Sequence, residues 1–539
     1  MAFAVPAPYN EPVKAYAPGS PERASLARRI EELRKERVDA PCVIAGREVR
    51  SGDTWVARSP HDHGTEFADV HAARRGDVEA AIDASLAAKH DWSRWSFADR
   101  AAIFLKAADM LSGPWRDTIN GATILHQSKS VHQSEIEAAC EFADFLRYNV
   151  AFAEQLHAMQ PYSPEGMWNR AEYRPLEGFI LAITPFNFTA IAANLPTAPA
   201  LLGNTVVWKP SEKQAYAAHF TMQLLREAGL PDGVINLVHG DGALAAQVAT
   251  AHPDLGGIHF TGSINVLRSL WKQVGNGIDG YRSFPRVVGE SGGKDFVVAH
   301  PSADVDPLVV ALGRGAFEYQ GQKCSAASRA YIPRSLWPQV RDGLADLASE
   351  AKASMGDVTD LSTFMGAVID GAAFTKHRDA IEGMRAAGAQ ILAGGGTDDA
   401  EGWFVDPTVI VTDDPKADTM ERELFGPVLT VYVYEDSEWD ETLRLVDETS
   451  EYALTGSVFS QDRAAAAQAL DRLRDAAGNI YVNDKPTGSV VGQQPFGGAR
   501  MSGTNDKAGS MLNLTRWVSA RAIKEPSVPP RDWRYPHMG

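Results

Sequence analysis

From about residue 20 to 160, apolar side chains recur at every third or fourth position, a spacing that predicts amphipathic helices. SPERASLARRIEELRKERVD opens on a Ser-Pro-Glu start, and GDVEAAIDASLAAKHDWSRW and FADRAAIFLKAADMLSG repeat the style. After residue 178 short apolar runs alternate with helices: GFILAIT, NTVVWKP, the helix EKQAYAAHFTMQLLREAG, the turn LPDG, the run VINLVHG, a further helix, and GIHF. Such β-α-β units imply a parallel sheet covered by helices. From KDFVVAH at 294 the alternation resumes with AYIP, a long helix, the glycine-rich AGGGTDDAEG, PTVIVT and VLTVYVYED, a second domain of the same kind. The expected fold is therefore α/β, with two doubly wound parallel-sheet domains. MWNRAEYRPLEGF and LTRWVSARAIKEP alternate polar and apolar residues outside both domains. They read as strands of an extension that pairs with another subunit, or as an edge hairpin.

Composition narrows the picture. A chain of 539 residues exceeds what one hydrophobic core serves, so more than one domain is expected. With 44% hydrophobic and 22% charged residues it is an ordinary globular sequence, and a net charge of −17 offers no basic footprint for nucleic acid. Cys42, Cys140 and Cys324 lie far apart with no ligand spacing, which argues against a disulfide framework or a structural metal and fits a reducing cytoplasm. The N-terminal MAFAVPAPYNEPVKAY has neither export nor organelle character, and the longest apolar region is broken by three prolines, so a soluble cytoplasmic protein without a membrane span is expected.

Three motifs compete for the chemistry. In HGDGALA, Gly240, Gly242 and Ala245 match the dinucleotide fingerprint G-x-G-x-x-G/A, but no acidic residue follows the next strand, which runs into Thr261-Gly262-Ser263; a close-packed turn is the competing reading. HFTGSINVLRSLW is the better phosphate site, since Gly262 and Ser263 stand where a strand enters a helix and free N–H groups face an anion, although Ser263 also suits a plain cap. Lys209 and Glu212 end the neighbouring strand, and a carboxylate beside an adenosine ribose would favour NAD over NADP. GESGG satisfies the G-x-S-x-G elbow and raises a serine hydrolase using Ser291, but an elbow needs a helix after the serine, whereas KDFVVAH continues as a strand. The same segment supplies Glu290, a carboxylate in a glycine-rich loop. Cys324 in EYQGQKCSAAS has polar neighbours and no apolar ones, and Lys323 is placed in sequence to lower its pKa; a small buried residue is the plain alternative.

Taken in chain order, PFNF at 185–188, WKPSE at 208–212, FTGS at 260–263, GESGGK at 289–294, GQKCSA at 321–326, ELFGPV at 423–428 and PFGG at 495–498 resemble the aldehyde dehydrogenase superfamily. NEPVKAYAPGSPER, TPFNFTAI, FEYQGQKCSA and VVGQQPFGGARMSGTNDKAG extend the resemblance over almost the whole chain, to the branch that oxidises L-glutamate γ-semialdehyde, formed from 1-pyrroline-5-carboxylate, in proline catabolism. That resemblance implies an NAD-binding domain over 1–160 and 179–293, a catalytic domain over 294–490, and oligomerisation strands at 161–178 and 512–528 of a homodimer or higher homo-oligomer. It implies NAD as cofactor, Cys324 as nucleophile, Asn187 as oxyanion donor and Glu290 as general base. Lys209, Glu212, Gly262 and Ser263 would meet the adenosine and phosphates, and Glu423 and Phe425 the nicotinamide ribose and ring. For the substrate, Ser325, Gly488 and Ser489 would hold the α-carboxylate, Glu141 the α-ammonium, and Phe186 and Phe496 the methylenes. Another ω-semialdehyde is the nearer alternative substrate.

Overall fold

A computed structural model describes residues 4–539. Its first large sheet has seven strands in the order Arg286–Glu290, Leu255–Thr261, Phe179–Thr184, Val206–Pro210, Ile235–Leu237, Cys42–Ile44, Arg47–Val49; the first five are parallel and the last two antiparallel. Phe179–Thr184 and Val206–Pro210 are buried almost throughout, as strands with helices on both faces must be, and this is why FILAIT and VVWKP read as unbroken apolar runs. The second sheet also has seven strands, in the order Gln390–Ala393, Thr408–Thr412, Val428–Tyr434, Ala327–Pro333, Asp295–Ala299, Thr455–Phe459, Asn479–Val482, with only the first antiparallel to its neighbour. The chain passes from one sheet to the other between Glu290 and Asp295.

The helical reading of residues 20–160 needs one correction. Pro21–Lys35, Arg75–Trp92, Phe97–Ser112, Arg116–Gln127 and Glu141–Ala158 are helices, but residues 38–71 form five strands. Two of these, Cys42–Ile44 and Arg47–Val49, extend the first sheet, and the others make a separate three-stranded one. Runs of three residues interrupted by Pro41 and by the turn at Ala45-Gly46 are too short to show a period of two. Met167–Pro175 and Val518–Pro526 are strands, and they pair with each other, antiparallel over nine consecutive positions. The long apolar region 178–208 is strand, helix Thr189–Leu201 and strand; among the described residues no helix is long and apolar enough to cross a membrane.

Between Val131 and Ala158 the backbone is one helical run with a π segment, Glu135–Cys140, set into it. Such a widened turn re-aims the side chains around it. The N-terminal arm lies along this run: Asp144 accepts from the Asn10 amide at 2.8 Å and from the Glu11 backbone N–H at 2.6 Å.

Candidate active site

A cavity of about 1230 Å³ opens at the carboxyl ends of the parallel strands of the first sheet, where ligands of open α/β sheets bind. Two helices begin on its wall. Ser263 caps Ile264–Asn276, accepting from Val266 N at 3.4 Å, and Asp241 caps Gly242–Thr250, accepting from Ala243 N at 2.8 Å. Their unpaired N–H groups suit an anionic bridge between two nucleosides. A Cβ on Gly262 would stand 2.7 Å from the Phe260 ring, so only glycine fits there unless the ring shifts. Within HGDGALA, Gly240 (φ +104°) is a packed turn against Ala72 and Ala73, while Gly242 to Leu244 line the cavity.

Lys209 is buried on this wall, its ammonium donating to Pro210 O at 2.9 Å, and burial pulls its pKa down to about 8. Glu212 departs from expectation. It lines a separate pocket of about 340 Å³ with Trp55, His126, Lys213 and Trp403. The chain enters a 3₁₀ turn at Glu212, which rotates successive side chains by roughly a third of a turn and leaves Ser211 on the larger cavity instead. The acidic residues on the larger cavity are Asp241 and Glu423. Glu423 accepts from Gly293 N at 3.0 Å, and burial raises its carboxyl above the ordinary range. A Cβ on Gly292 would lie 2.0 Å from that carboxylate. Phe425 (φ +59°) meets Phe186 edge to face at 5.8 Å on the same wall. A volume of this size, two helix starts and glycines where a Cβ would intrude suit a dinucleotide.

Cys324 lines both this cavity and a second one of about 380 Å³. It ends a loop that is left-handed at Tyr319 (φ 52°) and Gln320 (φ 55°), a conformation costly for side chains of this size. The loop is held by its own glutamines: Gln320 donates to Ser128 O and Ala367 O and accepts from Gly366 N, and Gln322 accepts from Ile369 N at 2.9 Å. Asn187 donates to Gln322 O at 3.0 Å, so its amide stands beside the loop carrying the thiol. Burial, then the nearby Asp295, Glu423 and Glu290 carboxylates, hold the thiol well above its ordinary pKa, and its own backbone N–H works the other way. Lys323 does not lower it: its ammonium is turned away into ion pairs with Glu137 at 2.7 Å and Glu318 at 3.3 Å.

Glu290 closes the strand Arg286–Glu290 and lines the second cavity, accepting from Gly498 N at 2.8 Å. Burial among Gly497, Gly503 and Asp506 pushes its carboxyl well above the ordinary range. The neighbouring Ser291 donates to Met501 O at 2.6 Å and is followed by a strand, so the elbow geometry of a hydrolase is absent.

The second cavity collects Glu141, Ser325, Gly488, Ser489 and Phe496 from segments more than 300 residues apart in sequence. Ser325 shares a hydrogen bond with Thr487 at 2.8 Å, and Gly488 adopts φ +96°, a left-handed turn that glycine takes without strain. Glu141 has no ion-pair or hydrogen-bond partner among the described residues. Burial and the adjacent Glu137 raise its pKa to about 8, against the pull of Lys129. Phe186 is not here; Phe188 is, with the ammonium of Lys129 4.4 Å from its ring centroid. The turn after Thr184 sends the first phenylalanine of PFNF to the larger cavity and the second to the smaller, a choice the motif does not reveal. Sequence reasoning also missed Asn10, whose amide donates to Val491 O at 2.8 Å and whose carbonyl accepts from Gln493 at 2.9 Å, beside Gly488 and Ser489.

Comparison with known proteins points to one family. The aldehyde dehydrogenase family pattern matches residues 49–523. A Delta-pyrroline-5-carboxylate dehydrogenase from Mycobacterium tuberculosis, solved with NAD bound, superposes with a TM-score of 0.96 at 56% identity, covering 100% of this chain and 99% of that one. The Delta-1-pyrroline-5-carboxylate dehydrogenase of Agaricus bisporus is 49% identical over 538 residues, 99% of this chain and 98% of its own length. The mitochondrial enzyme of the same name from Bos taurus is 49% identical over 530 residues, 98% of this chain and 94% of its own.

Proposed function

The chain belongs to the aldehyde dehydrogenase family, and within it we propose that the second cavity selects L-glutamate γ-semialdehyde, the open form of 1-pyrroline-5-carboxylate, for NAD-dependent oxidation to L-glutamate in proline catabolism. One observation carries the substrate: Cys324 lies between a dinucleotide-sized cavity and a small one whose walls offer an unpaired carboxylate, Glu141, and a serine beside a glycine turn. An α-ammonium is the natural partner of the first and an α-carboxylate of the second.

The Cys324 sulfur, as thiolate, attacks the aldehyde carbon, and the developing oxyanion takes hydrogen bonds from the Asn187 amide and the Cys324 N–H. Ser325 and the N–H groups of Gly488 and Ser489 hold the α-carboxylate, Glu141 pairs with the ammonium, and Phe188 and Phe496 bracket the methylenes. When bound, NAD accepts the hydride whose loss turns the thiohemiacetal into a thioester; Lys209, Gly262, Ser263, Glu423 and Phe425 hold the cofactor. Glu290, swung from Gly498 toward the thioester, takes a proton from water as its oxygen attacks the carbonyl carbon, and the C–S bond breaks to return the thiolate.

We assign 1–160 and 179–293 to cofactor binding, 294–490 to catalysis, and 161–178 with 512–528 to oligomerisation, a role supported by a two-stranded ribbon carrying the exposed Trp168. A homo-oligomer is expected, and sedimentation after deletion of Val518–Pro526 tests it. Three free cysteines fit a reducing compartment, and we propose the cytoplasm; the bovine relative is mitochondrial, and imaging the tagged chain decides between the two. The substrate is tested by comparing kcat/KM for glutamate γ-semialdehyde with that for succinate semialdehyde. A clear preference for the first is expected, and parity overturns the assignment.

A further inference from the structure

Five charged side chains form an unbroken buried line behind the nucleophile. Lys485 pairs with Glu318 at 2.9 Å, Glu318 with Lys323 at 3.3 Å, Lys323 with Glu137 at 2.7 Å, and Glu137 with Lys129, whose ammonium also lies 4.4 Å from the ring centroids of Phe188 and Tyr319. All but Lys485 are less than a tenth exposed. Four of the five adjoin a group that faces the second cavity, and Glu318 joins two of those four. Lys323 immediately precedes Cys324 and Ser325, Glu137 stands one helical turn before Glu141, Lys129 carries Phe188 over its charge, and Lys485 is three residues before Gly488.

Ion pairs this deep add little net stability, because lost hydration offsets their attraction; what they fix well is geometry. We infer that the line Lys485–Glu318–Lys323–Glu137–Lys129 is a spacer that sets the distance from Cys324 to Glu141, with Lys323 as a positioning residue that determines which length of amino-acid aldehyde is oxidised. Three lysines and two glutamates leave one positive charge over. Within the line Lys129 and Lys323 favour the ionised form of Glu141 and Glu137 opposes it, so the line bears on that carboxylate through its position. The inference rests on the proposed substrate and gives Lys323, which does not serve the thiol, a role.

The test compares three aldehydes: glutamate γ-semialdehyde, its homologue one methylene longer, and propanal, which has no amino-acid head. Wild-type protein that does not prefer the first over propanal refutes the proposed function before any variant is made. Given that preference, Lys323→Met is expected to raise KM for glutamate γ-semialdehyde about 30-fold with a much smaller change in kcat. It should also collapse the preference over the longer homologue, normally about 10- to 200-fold for one methylene. By calorimetry its Kd for L-glutamate should rise at least about tenfold while that for NAD stays put. Parallel losses for all three aldehydes overturn the inference. Should Lys323→Met not fold, Glu318→Gln leaves Lys323 paired with Glu137 and frees only the partly exposed Lys485; it should relax the preference over the longer homologue, and an unchanged preference overturns the inference. Lys485→Met, at the partly exposed end of the line, should relax the same preference about threefold, the scale of a weaker rim pair. An unchanged preference in that variant also overturns the inference.

Discussion

The two cavities that meet at Cys324 are built by opposite means. The larger is made of backbone: helix starts at Gly242 and Ile264, turns at Gly262 and Gly292, and few ionised side chains. The smaller is made of side chains, with Glu137, Glu141, Glu290 and Lys507 on its wall and the other four charges of the line behind it. A wall of peptide groups can hold a ligand common to many reactions, since N–H groups recognise phosphate whatever else is attached. A wall of placed charges recognises one arrangement of ammonium and carboxylate and rejects its neighbours, because an unmatched buried charge is costly.

The sharpest way to break this comparison is at the residue both cavities share. Cys324→Ala should lower NADH production roughly 10⁵- to 10⁶-fold while NAD still binds by calorimetry, as when a nucleophile alone is removed. Glu290→Gln should slow steady turnover by about 10²- to 10⁴-fold yet keep a single-turnover burst of NADH, because the base acts after the thioester forms. Glu141→Gln should touch only the small cavity: about a 10²-fold loss in kcat/KM for glutamate γ-semialdehyde and no comparable loss for propanal. In the wild type the Glu141 carboxyl is neutral below its pKa of about 8 and cannot pair with an ammonium, so kcat/KM for the amino-acid aldehyde should rise as pH increases through that value. The rise attributable to this group should vanish in Glu141→Gln. Gly292→Ala should act only on the large cavity by pressing on Glu423, raising KM for NAD roughly tenfold, the scale of an overpacked methyl, with aldehyde preference intact. The smallest effect is expected for Glu212→Ala, within about twofold in NAD affinity, since that carboxylate faces another pocket.

The same contrast explains what could be read from the sequence. The large cavity was legible because its parts are contiguous motifs: FTGS is a strand end and a cap in four letters, and FILAIT and VVWKP announce buried parallel strands. The small cavity was legible only by resemblance. Nothing in PFNF tells which phenylalanine turns toward the substrate, and nothing around Lys323 shows that its partner is Glu137, 186 positions earlier. Glu212 was misplaced for a related reason, because one residue of 3₁₀ turn decides which pocket a side chain enters. Of the strands of residues 38–71, three are three-residue runs that carry no period, and the two longer ones, Thr54–Ser59 and Asp62–His71, pair with register shifts that interrupt their alternation.

The N-terminal arm has a bearing on how such a site is made. Asn10 bonds to Val491 across 481 residues and to Gln493 across 483, while Glu11 is held by Ser112, Arg116 and Arg147. During synthesis at about 5–20 residues per second, the arm and its helical partners exist for roughly 15 seconds to a minute before the segment that completes the substrate wall is made. Once residue 290 has been made, the cofactor sheet can be whole while Asn10 still lacks its partners at Val491 and Gln493. Newly made chains should therefore acquire NAD binding before they acquire a place for the aldehyde, and a bulky fusion that pulls residues 5–11 aside should yield protein that has the first and lacks the second.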